Sequence, residues 1–162
     1  MRKMYLSAPL PFVGQKRMFA KEFMKVLEQY PDGTLFVDLF GGSGLLSHIA
    51  KSLKPHSTVI YNDFDNYRFR MKHIPQTNQL LADIREMVGN SVPRHKIIKG
   101  ELRERIFSRI EQEENSTGYV DFITLSSSIL FSMKYKLSVQ DMRKEALYNN
   151  IRKTGYPECT DY

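Results

Sequence analysis

Cysteine is almost missing from this chain. Cys159 stands alone among 162 residues, so an internal disulfide and a cysteine-rich zinc centre are both excluded. Long apolar runs are missing too: nothing approaches the ~18 residues of a membrane span, and the opening MRKMYLSAPLPF lacks the apolar segment of a signal peptide. The cytoplasm is the expected compartment. His48, His56, His73 and His95 are scattered, with no carboxylate or cysteine at ligand spacing, and no metal is expected. The triple serine at 126–128 lacks the Gly-x-Ser-x-Gly setting of a nucleophile elbow, which removes hydrolase chemistry.

What is present is ordinary globular composition, 41% hydrophobic and 26% charged, in a length that suits one domain. The net charge is +6, which favours a polyanionic partner. Its distribution says more. Residues 1–30 carry six Lys/Arg against two acids, residues 31–65 carry two against four, and residues 131–153 carry six against two. A mildly acidic middle lies between basic flanks, as suits a small ligand in the centre with a phosphate backbone across the rim.

APLPFVGQK reads as extended chain ahead of a helix. From Gln15 to Tyr30 the residues Phe19, Phe23, Val26, Leu27 and Tyr30 recur every three or four positions, predicting a helix that buries this face and stops at YPDG. TLFVDLF is short, β-branched and aromatic, hence a buried strand. A turn at Gly41, Gly42 and Gly44, the helix LLSHIAKSL and the strand TVIYND complete a β-α-β unit with parallel strands. From Asn66 to Glu114 the pattern turns helical, with Leu80, Leu81, Ile84, Met87 and Val88 on one stripe and Leu102, Ile106 and Ile110 on another. DFITLSSSILFSMKY fits helix and strand spacing and is read as helix; a last helix is predicted over Ser138 to Lys153, capped by Ser138. The expected class is α/β, with residues 1–66 as the β-α-β portion and 67–162 as a mainly helical insertion and return segment of the same domain.

Both predicted strands end in an acid, Asp38 and Asp63, and a glycine turn lies between them. Glycine lets the backbone approach a ligand, and an acid at the second strand tip can accept from a ribose diol. A tight strand-to-helix turn is the plainer alternative. No Gly-Lys-Ser/Thr follows the turn, so it is not a P-loop, and GGSGLL does not match the dinucleotide pattern. Asp38 would repel a pyrophosphate but attract the ammonium of an amino acid. A ligand that is both nucleoside and amino acid fits, and S-adenosylmethionine is one.

In order and spacing, PFVGQK, FVDLFGGSG and YNDFDNY resemble the opening of the Dam-like, D12 class adenine-N6 DNA methyltransferases. The resemblance covers about the first 67 residues. It implies a partial Rossmann-like, S-adenosylmethionine-dependent methyltransferase fold with a helical insertion facing DNA, of the kind found in restriction-modification. Phe12, Lys16, Asp38, Phe40, Gly41, Gly42, Ser43, Gly44, Asp63 and Phe64 become the implied cofactor contacts. Asp38 and the turn take the methionine end, Asp63 the ribose hydroxyls, Phe64 the adenine, and Lys16 points towards the target base. Arg68, Arg70 and Lys72 follow the second acid directly and are placed to reach DNA phosphates; Lys134 and Lys136 open a second basic patch. A solvated helix face would carry the same charges.

Two departures stand out. The chain has Gly14-Gln15 where the family usually has paired glycines, and LSSSILFSMKY where it commonly has a Leu-Asn-Arg…Phe-Asn-Gly stretch. The family's methyl transfer relies on Asp-Pro-Pro-Tyr, and the seven prolines of this sequence are all isolated. The expectation is therefore the N-terminal part of a longer enzyme, or a chain that pairs with another, inactive alone. A methyltransferase-derived module that binds nucleic acid or a partner chain, and a nucleotide-binding domain of other purpose, are the competing readings.

Overall fold

The computed structural model describes residues 3–159 and Tyr162. The described chain forms two compact units, one spanning Met1–Lys72 and Glu158–Tyr162, the other His73–Pro157.

In the first unit a 3-10 turn (Lys16–Phe19) leads into α1 (Ala20–Glu28), β1 (Leu35–Asp38), α2 (Leu45–Leu53), β2 (Thr58–Tyr61) and α3 (Tyr67–Lys72). The strands pair in parallel, Leu35 with Thr58 through Asp38 with Tyr61. Asp32 ties the two strand entries together, its carboxylate accepting from Gly33 N and His56 N at 3.0 Å each. Phe36 and Val59 face a core of Ala20, Leu27, Leu45, Ile49 and Ala50. The opposite sheet face is bare, with Leu35, Val37 and Ile60 each more than half exposed.

The buried stripe of α1 differs from the one predicted. Ala20, Phe23, Met24 and Leu27 meet the core, whereas Phe19, Val26 and Tyr30 are exposed. Successive α-helical residues turn by about 100°, so Val26, one position from Leu27, falls to the side of the stripe formed by Ala20, Phe23, Met24 and Leu27, while Phe19 precedes α1 and Tyr30 lies beyond its end at Glu28. Further along, the Tyr67 hydroxyl accepts from Leu10 N (2.9 Å) and donates to Leu10 O (3.1 Å), which straps the proline-containing N-terminal segment onto α3.

The second unit holds α4 (Ile74–Val88), β3 (Ile97–Ile98), α5 (Gly100–Thr117), α6 (Phe122–Ile129), α7 (Val139–Arg143) and β4 (Leu147–Tyr148). Leu80, Leu81, Ile84 and Val88 of α4 are buried, as are Ile106, Phe107 and Ile110 of α5. Pro75 sits in the first turn of α4, where its missing N–H costs nothing. Asp121 caps α6 by accepting from Thr124 N at 3.0 Å. Ser138 caps α7 as expected, accepting from Asp141 N at 3.2 Å, but the helix stops at Arg143 instead of reaching Lys153. Leu147 and Tyr148 instead pair antiparallel with Ile98 and Ile97. The described residues therefore form a mixed helix-and-strand chain with two two-stranded sheets.

Candidate functional site

The parallel register places Asp38 beside Tyr61, and Asn62 N donates to Asp38 O at 3.1 Å. Asp38 and Asp63 thus leave neighbouring strands at the same end. The turn between β1 and α2 is shaped by Gly42 (φ 50°) and Gly44 (φ 71°), both in the left-handed region where glycine is at ease. Gly44 N donates to Gly41 O at 2.7 Å, and Gly44 then caps α2. Gly41 is required for a different reason. A Cβ there would lie 2.2 Å from Tyr61 Cε2 and 2.7 Å from Asn62 O.

Each acid has defined partners. Asp38 Oδ2 accepts from Ser47 Oγ of α2 at 2.7 Å. Asp63 caps α3, with Tyr67 N on Oδ1 at 2.6 Å and Arg68 N on Oδ2 at 3.0 Å, and it also accepts from the Tyr61 hydroxyl at 2.9 Å. Among the described residues neither carboxylate is paired with a lysine or arginine. A carboxylate offers about four lone-pair directions, so both keep room for a ligand's donors. Burial, then the Asp63 carboxylate, pushes the Tyr61 phenol well above its ordinary value, which keeps it a protonated donor.

Lys16 reaches the turn and donates through Nζ to the Phe40 carbonyl. Phe12 packs edge-on against Tyr67 with ring centroids 5.7 Å apart, and its Cε1 would stand 3.0 Å from a Cβ at Gly42. Phe40 and Phe64 project into solvent, 82% and 85% exposed, while Ser43 is buried. A hollow of about 440 Å³ opens beside the turn, lined among others by Ser43, Gly44, Tyr61, Tyr67, Arg68 and Tyr162. Asp38 borders a smaller hollow of about 140 Å³ with Phe36 and Ser47. Asp63 lines neither directly and meets the larger one through its contacts with Tyr61, Tyr67 and Arg68.

The basic residues divide. Arg68 and Lys72 are exposed. Arg70 is not: it is 6% exposed, donates to Pro11 O at 2.8 Å and lies over the Tyr67 ring. Its guanidinium holds the N-terminal strap, which corrects its expected role as a phosphate contact. In the second unit Lys134 and Lys136 both pair with Glu145, at 2.5 and 3.1 Å. Neighbouring Arg143 pairs with Glu104 and Glu111, and Lys144 with Asp141, so much of that patch is neutralised internally. No group of three His, Cys, Asp or Glu able to hold a metal occurs among the described residues, and no helix among them is long and apolar enough to cross a membrane.

The model of the D12 class N6 adenine-specific DNA methyltransferase family matches residues 12–155. The chain belongs to that family. It is also 41% identical over 165 residues to a protein of Haemophilus influenzae (strain ATCC 51907 / DSM 11121 / KW20 / Rd) named "Putative methyltransferase". That similarity covers 99% of this chain and 55% of the relative, so the chain spans about half the length of the curated relative it matches. No solved structure matches.

In this D12 class chain the sequence pattern points to the strand-tip acids and the glycines as candidates but not to Ser47, Tyr61 and Tyr67, which contact those acids in the structure. Ser47 lies nine residues from Asp38 and Tyr67 lies 57 from Leu10, separations that no local pattern reports. Tyr61 had a signal: an aromatic with a polar tip at the end of a buried strand, directly ahead of a candidate ligand acid.

Proposed function

We propose that this chain is the N-terminal portion of a site-specific adenine-N6 DNA methyltransferase that takes its methyl group from S-adenosylmethionine and delivers it to a flipped-out adenine. The observation that carries the reading is the pair of acids, Asp38 and Asp63, at one end of adjacent parallel strands with the glycine turn between them, in a chain of the D12 family. The residues suit the cofactor: Gly42 and Gly44 give the turn its left-handed backbone, both carboxylates have unused acceptor capacity, and the adjoining hollow is within the usual few hundred Å³ of a ligand site.

S-adenosylmethionine supplies an activated sulfonium methyl. The chain's own residues bind and orient. Asp38 accepts from the ammonium and Asp63 from the ribose hydroxyls. Lys16 steadies the turn at the methionine end through the Phe40 carbonyl, and the exposed ring of Phe64 offers a flat surface to the adenine. Arg68 and Lys72, with Lys134 and Lys136 when released from Glu145, contact backbone phosphates. Asp-Pro-Pro-Tyr is absent, so the groups that draw the amino lone pair towards the methyl must come from the remainder of a longer protein or from a partner chain. The bare face of β1 and β2 supports this, because a parallel strand apolar on both sides normally has both sides covered.

Titration with S-adenosylhomocysteine tests the reading: the chain binds it, and Asp63→Ala abolishes binding. No binding by the unmodified chain refutes the cofactor assignment. The missing motif favours one second reading, a module that binds DNA or a partner and transfers nothing. A methyl-transfer assay on the chain joined to the remaining half of a relative separates the two, since turnover sinks the binding-module reading.

A further inference from the structure

Tyr61 touches both ends of the proposed cofactor site. Its hydroxyl lies 2.6 Å from Gly42 O and 2.9 Å from Asp63 Oδ1, and its ring is the surface against which Gly41 and Gly44 pack. A phenol has one proton, and both of these partners can only accept. The donor is therefore shared between the carbonyl that shapes the methionine end and the carboxylate that would meet the ribose. Around it, Asp63 is held by Tyr67 N and Arg68 N, and the turn by Gly44 N on Gly41 O.

We propose that Tyr61 is a positioning residue, a strut that fixes the glycine turn and the Asp63 carboxylate relative to each other so that a nucleoside carrying an amino acid meets both at once. The proposal rests on the cofactor reading above and adds the residue that sets the spacing of its two halves. Tyr61→Phe keeps the ring against Gly41 and Gly44 and removes only the hydroxyl.

Two measurements test it. The first needs no ligand: amide exchange in the free chain quickens in Tyr61→Phe by roughly threefold to tenfold at Gly44, Tyr67 and Arg68 together, while the middle of α2 is unchanged. Faster exchange at only one of the two ends overturns the strut. The second compares ligands. In the unmodified chain S-adenosylhomocysteine binds more tightly than 5′-methylthioadenosine, which lacks the amino acid, and adenosine binds more tightly than 2′,3′-dideoxyadenosine. Tyr61→Phe shrinks both preferences. A purely structural hydroxyl would weaken all four ligands alike and leave both ratios intact, which overturns the proposal while sparing the cofactor reading. If the unmodified chain binds none of the four, the cofactor reading falls, and this role for Tyr61 falls with it.

Discussion

Replacing Gly41 by alanine puts the packing of the turn to a quantitative test. Gly41 is outside the left-handed region, so the methyl group strains no backbone angle, and its whole cost is steric. It would arrive 2.2 and 2.3 Å from two carbons of the Tyr61 ring and 2.7 Å from Asn62 O, where carbon atoms prefer about 3.5–4.0 Å. The ring must retreat by more than about 1 Å. It cannot do so and keep its hydroxyl on Gly42 O and Asp63. Overpacking costs about 1–3 kcal/mol and a lost hydrogen bond about 0.5–1.5 kcal/mol, so Gly41→Ala is expected to cost about 2–4 kcal/mol. The chain has no tryptophan, so urea unfolding is followed by far-ultraviolet circular dichroism. Tyr61→Val removes the ring and with it two of the three close contacts. In the double variant the alanine should then cost only about 1 kcal/mol, a coupling of at least ~1 kcal/mol in the mutant cycle. A cost below about 0.5 kcal/mol for Gly41→Ala, or strict additivity with Tyr61→Val, would refute this account of the turn.

Asp63→Asn replaces one of the two accepting oxygens by an NH2 that cannot take the N–H of Tyr67 or Arg68, so it should cost about 0.5–1.5 kcal/mol, and Asp63→Ala, which removes both acceptors, about 1–3 kcal/mol; both should weaken S-adenosylhomocysteine binding, measured by calorimetry. Arg70→Met should destabilise the chain by about 1.5–3 kcal/mol through the lost bond to Pro11 O and leave the salt dependence of DNA binding unchanged. Arg68→Gln should do the reverse, lowering the slope of log affinity against log salt by about one unit. Val37→Lys on the bare strand face should cost under ~0.5 kcal/mol in the isolated chain and reduce pull-down of the remaining half of the relative by more than tenfold.

The β-α-β unit was legible because its signals are local: TLFVDLF and TVIYND are short, apolar and bounded by turn residues, and they became β1 and β2. The same held for α2 and for the Ser138 cap. What could not be read was decided by distant partners. Leu147 and Tyr148 carry helical spacing, but Ile97 and Ile98 recruit them into a strand pair about fifty residues away in sequence. Arg70 alternates with Phe69 and Met71 as on any solvated helix, yet the Pro11 carbonyl, 59 residues earlier, draws it inside. Of the candidate site, residue types and order were visible in the acids and glycines. The proton that joins them, on Tyr61, depends on how a strand tip folds back over the turn.

The Asp63 carboxylate starts α3 by holding Tyr67 N and Arg68 N, and α3 in turn holds the N-terminal segment through Tyr67 and Arg70. With the proposed cofactor role, one side chain thus answers to two kinds of selection. A descendant that had lost all use for a cofactor would still be pressed to preserve this aspartate merely to stay folded, so its survival in a sequence is no certificate of a working enzyme.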